Sequence, residues 1–158
     1  MRFDAMATVL QAYLTARWRA ARLHSRAAID RHHDRQLWLL TRRAARDLPF
    51  YRAFADRPFA AWPVIDKETV LANFAGMNRI ALNAATVRAT LEAGEERLSG
   101  HLIGMSTGTS GNRGYYVITE RERFVWLGTI LAKALPDALW RRHRVALALP
   151  TLSGLYQS

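Results

Sequence analysis

The sequence predicts an α/β (α+β) chain in which a helical N-terminal region leads into a segment mixing strands with helices. Three observations predict it. Apolar residues recur at three- and four-residue spacing through the first third of the chain. After Gly100 the period changes, and "HLIGMS" and "YYVIT" stand as short apolar runs on either side of a glycine-rich stretch. A T-x-x-E box at Thr119 and Glu122 then signals the start of a further helix.

The elements follow in order. Val9, Leu10, Tyr13, Leu14 and Trp18 make one apolar stripe on a first helix. A second helix starts at Ser25 as N-cap and carries Ile29, Gln36 or Leu37, Leu40 and Ala44 on one side. It stops before "DLPFY", because Pro49 disfavours helix at the residue preceding it. His32 and His33 lie on this helix about 100° apart, so they cannot share one metal and read as surface residues. An aromatic, proline-punctuated connection follows. Asp66 then caps a short helix, with Glu68 in the first turn and Val70, Leu71 and Phe74 on its buried face. Residues 84–98 read as an amphipathic helix or helix-turn. The helix opened by Thr119 turns Phe124, Leu127, Ile130, Leu131, Ala134 and Leu135 inward and ends near Pro136. "RVALALP" shows no polar alternation and reads as a buried strand.

Composition narrows the function classes. The chain has 158 residues, half of them apolar, which suits one ordinary core. With no cysteine, disulfides and thiolate metal sites are excluded. No apolar run approaches a membrane span, and the N-terminus lacks the pattern of an export signal, so the expected compartment is the cytoplasm. The net charge is +10, and all but Lys67 and Lys133 of the 23 basic residues are Arg. Residues 1–60 alone hold twelve Arg against five Asp. Such a surplus can attract nucleic acid, anionic lipid or an acidic protein. The arginines are scattered around the helical wheel, however, without aromatics interleaved for base stacking, which argues against nucleic acid.

The chemistry concentrates in "MSTGTSGNRGYY", residues 105–116. Its first ten positions hold three glycines and four hydroxyls. Glycine lets backbone N–H groups converge on one oxyanion, and hydroxyls add donors around it. Two familiar phosphate loops do not match. The P-loop requires G-x-x-x-x-G-K-[ST] running into a helix, whereas this stretch has no Lys and runs into β-formers. The dinucleotide fingerprint G-x-G-x-x-G also needs a helix after it, and Gly108, Gly111 and Gly114 are spaced by three. A loop joining two strands remains, either as a phosphate cradle or as a plain hairpin connection.

"STGTSGNRG" resembles the Ser/Thr/Gly-rich signature of the AMP-forming adenylating enzymes, most closely the branch of phenylacetate–CoA ligase and coenzyme F390 synthetase. "LPFYRAF" and "WPVIDKETVLANF" also look like that branch. The resemblance implies that residues 1–60 are a helical N-terminal region and that residues 61–158 begin a truncated adenylation (AMP-binding) domain. It implies that Ser106, Thr107, Gly108, Thr109, Ser110 and Gly111 wrap the β- and γ-phosphates of ATP, with Arg113 and Gly114 where many members have Lys-Gly. Arg keeps the positive charge but differs from Lys in geometry. Lys67 matches a lysine of the helix-start segment and receives no catalytic role.

The implied activity is ligation. ATP, with Mg²⁺, activates a carboxylic acid (acyl or aryl) as its adenylate, and a thiol of coenzyme A or an acyl carrier protein takes the acyl group. The family's aromatic-Gly-x-[ST]-Glu segment, ribose-binding Asp and C-terminal lysine come later than "TLSGLYQS". The expectation is therefore an N-terminal portion that does not complete the reaction alone. The alternative is a basic helical binding module for nucleic acid or an acidic protein, which accounts for the charge but leaves the loop unused.

Overall fold

A computed structural model describes residues 4–106 and 114–146. In chain order its helices are α1 (Ala5–Arg22), α2 (Arg26–Asp47), α3 (Lys67–Ala72), α4 (Ala84–Glu92) and α5 (Glu120–Ala134). The strands are β1 (Arg97–Leu98), β2 (His101–Met105) and β3 (Tyr115–Ile118), joined in that order in a three-stranded antiparallel sheet. The chain divides into two compact units, Met1–Ile29 with Ile118–Ser158, and Asp30–Val117.

The first unit is built on α1 packed against α5. Each helix is started by a side chain that accepts an otherwise unsatisfied N–H. Asp4 accepts from Ala7 at 3.0 Å. On α5 the capping box forms in both directions, Glu122 N–H to Thr119 Oγ1 at 3.1 Å and Thr119 N–H to Glu122 Oε2 at 2.8 Å. Between the helices the contact is very close. A Cβ added at Gly128 would run into the Val9 carbonyl oxygen and stand 2.8 Å from the Ala12 Cβ.

That closeness changes which residues are buried. On α1 Tyr13 is buried and Val9 half-buried, whereas Leu10, Leu14 and Trp18 of the predicted stripe are exposed. On α5 Gly128 and Ala132 are buried and Phe124, Leu131 and Leu135 half-buried, but Leu127, Ile130 and Ala134 face out. Small residues let two backbones approach, and the larger apolar side chains beside them are then turned away from the seam. Tyr13 spans the end of the pair, its hydroxyl donating to the Leu135 carbonyl at 3.0 Å.

α2 begins after Ser25, whose Oγ accepts the Ala28 N–H at 3.2 Å, and ends ahead of Pro49 as predicted. Leu37 and Ala44 are half-buried, but Leu40 is 65 % exposed. The core of the second unit is Phe74, Val87, Leu91 and Ile103. Pro49–Phe54 forms a 3₁₀ turn, and Tyr51 stacks on Trp62 at 5.5 Å between ring centres, so the aromatic connection folds on itself. Asp66 caps α3 through the Thr69 N–H at 2.8 Å. The predicted face of α3 is extended by one turn of 3₁₀ helix, which carries Phe74.

Helix 84–98 is shorter than the sequence suggests. Asn83 caps α4, and Gly94, at φ +80°, takes the chain out of it into β1. Ser99 and Gly100 both adopt positive φ and join β1 to β2 as a two-residue hairpin, with Leu98 paired to His101. Residues 144–146 carry no strand, and the remainder of the predicted "RVALALP" strand lies outside the described residues. Just before it, Asp137 meets His143 at 2.8 Å and Arg141 at 3.6 Å.

Candidate phosphate-binding loop

β2 and β3 present the two ends of the glycine-rich stretch. Ser106 and Gly114 are described, while Thr107, Gly108, Thr109, Ser110, Gly111 and Arg113 lie outside the described residues. The two ends are tied by a reciprocal pair of hydrogen bonds. Ser106 N–H donates to the Gly114 carbonyl at 2.8 Å, and Gly114 N–H donates to Ser106 Oγ at 2.9 Å. The first bond continues the strand ladder. The second uses a side chain, so the serine at this position acts on the backbone across the neck. Its hydroxyl still carries a proton that it can donate.

Below the neck the sheet is braced on both faces. Successive residues of a strand point to opposite sides, and Tyr115 and Tyr116 divide accordingly. Tyr115 meets the buried Phe74 edge to face, 6.3 Å between centres. Tyr116 lays its ring over Gly104 of β2, in the space a Cβ would fill, with its Cε1 2.8 Å from that position. Gly104 therefore accommodates an aromatic neighbour across the strands, and Ile103 beside it is buried. On the far side of β2, Ile103 N–H donates to the Glu96 carbonyl at 3.0 Å. The loop thus departs from a pair of strands held by packing on one face and by a ring over glycine on the other.

The two strands flanking the stretch stand where the sequence pattern places them, and three features around them were not expected. The Ser–Gly hairpin was readable from "LSGH", since a small residue followed by Gly between apolar residues is a two-residue turn signal. The Tyr116–Gly104 contact has only an ambiguous signal, a glycine inside an apolar strand. Asn78 had none. Its side chain donates to the Phe74 and Leu82 carbonyls at 2.6 and 2.8 Å and accepts the Leu82 N–H at 3.0 Å, fixing the turn that leads to α4.

Lys67 stands at the first position of α3. His32 and His33 have ring centres 6.5 Å apart, tilted by 50°. Among the described residues no three His, Asp or Glu side chains are grouped to hold a metal. No described helix is long and apolar enough to cross a membrane. No family model, curated protein or solved structure matches the chain.

Proposed function

We propose that this chain is the N-terminal portion of an ATP-dependent, adenylate-forming acid–thiol ligase, and that residues 106–114 hold the nucleotide's phosphates. The observation that carries the reading is a glycine- and hydroxyl-rich stretch leaving and re-entering adjacent strands, with its ends tied by Ser106 and Gly114. A phosphate cradle needs N–H donors arranged before the ligand arrives, because ordering them on binding would consume part of the binding energy. A fixed neck supports such an arrangement. A flexible connection would not need a serine side chain across its base.

In this reading the backbone N–H groups around Gly108 and Gly111, with Thr107, Thr109 and Ser110, surround the β- and γ-phosphates. Arg113 adds positive charge beside them. ATP and Mg²⁺ belong to the complete enzyme, which joins a carboxylic acid to AMP and passes the acyl group to coenzyme A or an acyl carrier protein. The adenylation domain would begin near residue 61, after the helical region, and the compartment is the cytoplasm.

The direct test is on the 158-residue chain itself. Inorganic triphosphate and ATP are titrated while the backbone amide resonances of residues 106–114 are followed. Saturable shifts confined to those residues, lost in Thr107→Ala and Thr109→Ala, are expected. Shifts spread over the arginine-rich helices instead would refute the phosphate assignment. In a polypeptide extended through the later motifs, acid-dependent exchange of pyrophosphate into ATP tests the reaction, and no exchange with a broad panel of acids would count against it. The alternative, a basic module for nucleic acid or an acidic protein, rests on the arginine surplus of residues 1–60. It predicts oligonucleotide or polyanion binding that weakens steeply with salt.

A further inference from the structure

Among the described residues of the first unit, packing of α1 on α5 leaves large apolar side chains exposed. Because α5 occupies the seam at Gly128, the residues spaced by four along α1 (Met6, Leu10, Leu14 and Trp18) face outward. Met6 is 75 % exposed and Trp18 55 %. The stripe runs about 18 Å along the helix at the usual rise per residue. At its C-terminal end it meets Trp140, itself 74 % exposed, because Trp18 and Trp140 line the same groove.

Positive charge is in excess around this surface. Helix α1 contains three Arg and no acid, and Asp4 caps its N-terminus. Arg17 lines the groove between the tryptophans, and the Arg22 guanidinium sits 4.3 Å over the Trp18 ring. Asp137, the one carboxylate lining the groove, is already occupied by His143 and Arg141. The described part of this unit carries ten Arg and Lys against four Asp and Glu.

We propose that the α1 stripe with Trp140 is a docking surface for an anionic membrane, on which the chain lies peripherally. Three points favour lipid over other occupants. The stripe runs along a single helix that carries Arg and no acid, the arrangement of helices that lie in the headgroup layer with the apolar face down. Tryptophans paired with arginines match the membrane interface, where an apolar ring and a cationic head each find their own layer. A second copy of this chain would bring the same positive surplus to the contact, while anionic headgroups neutralise it. This inference rests on α1 and is independent of the phosphate loop.

The full chain is sedimented with phosphatidylcholine vesicles containing about 30 % phosphatidylserine, and with pure phosphatidylcholine vesicles, in the same buffer. Partition at least about tenfold stronger onto the anionic vesicles is expected, with a fall of about fivefold for each of Arg17→Gln and Arg22→Gln. Leu14→Ser and Trp18→Ser should each weaken it by about tenfold or more at unchanged charge. Both residues are exposed, and far-UV melts of the variants confirm that they fold. Brominated lipid should quench tryptophan emission in the native chain and less so in Trp18→Ser. Absence of vesicle binding, equal binding to neutral vesicles, or anionic binding indifferent to Leu14→Ser and Trp18→Ser would each overturn the proposal. So would preferential capture by an oligonucleotide or polyglutamate while the vesicles remain unbound. Triphosphate titration at residues 106–114 reads the other site separately.

Discussion

Replacing Gly128 with alanine sets two well-known effects against each other. At an exposed helix position the change from Gly to Ala stabilises by about 1 kcal/mol, since alanine loses less backbone entropy. Here the new methyl would stand 2.8 Å from the Ala12 Cβ, roughly 1 Å inside the usual carbon–carbon contact of about 3.5–4.0 Å. It would also collide with the Val9 carbonyl oxygen. That oxygen belongs to a helical backbone and cannot swing aside, so relief requires α1 and α5 to separate. Overpacking of this kind costs about 1–3 kcal/mol, and the backbone partner places this site toward the upper end. The net loss is then about 1–2 kcal/mol, or about 2–8 °C in Tm for a chain of this size. Urea and thermal melts followed by far-UV circular dichroism are the assay. Adding Ala12→Gly removes the methyl–methyl contact but not the collision with Val9, so the double variant should recover only part of the loss, a coupling the double-mutant cycle reads directly. A Gly128→Ala chain that melts at or above the parent temperature would refute the close seam. It would also remove the reason given for the exposed α1 stripe.

Asn78→Ala deletes three part-buried hydrogen bonds at one turn, and a destabilisation of about 2–3 kcal/mol is expected in the same melts. Ala81, in that turn, has φ +53°, so Ala81→Gly should stabilise by about 1 kcal/mol, and a loss would mean that the left-handed conformation is not adopted. The Asp47 carboxyl is held below its ordinary range by the hydrogen bond from Arg46, with Arg79 also facing it at 2.8 Å. A lowered folded-state value means that the unfolded chain takes up the proton first. The stabilisation is therefore complete above about pH 4 and fades as pH falls below it toward the lowered value. Asp47→Asn should flatten that acid limb, and an unchanged limb would show the pair to be inconsequential. Ser106→Ala removes the acceptor of the Gly114 N–H. It should cost about 1 kcal/mol and broaden the amide resonances of the loop, whereas Thr107→Ala should leave stability within about 0.5 kcal/mol.

How much of this was legible beforehand depends on whether the information is local. Caps are local: Ser25, Asp66 and the Thr119–Glu122 box each satisfy N–H groups within three residues, and all three stand where the pattern places them. The strands flanking the loop were legible for a related reason, because a change of period and a cluster of glycines are visible within one short window. Facing was not. Hydrophobicity ranks Leu10, Leu14, Leu127 and Ile130 above Ala12 and Gly128, but two helix backbones can approach only where side chains are small. The seam consequently chose the residues that a hydrophobic pattern ranks lowest. The same logic operates at Gly104, where the absence of a side chain admits the Tyr116 ring, and a sequence pattern counts that glycine merely as a gap.

This distinction bears on both functional proposals. The loop reading draws on local signals, a run of donors and glycines between strands, and the structure adds the side-chain bond that ties its base. The docking surface is a consequence of a non-local choice. Leu14 and Trp18 belong to a stripe that, in sequence, looks like half of a core. They become surface only because Gly128 brings α5 against another side of α1. Exposure of large apolar residues is then forced by the tight seam, and arginine at its edge gives it a partner of defined charge. A variant that loosens the seam should therefore alter vesicle binding as well as stability. If Gly128→Ala lets α1 rotate its stripe inward, partition onto anionic vesicles falls while every basic residue is kept. Unchanged partition in a chain with a loosened seam would mean that charge alone carries the attraction.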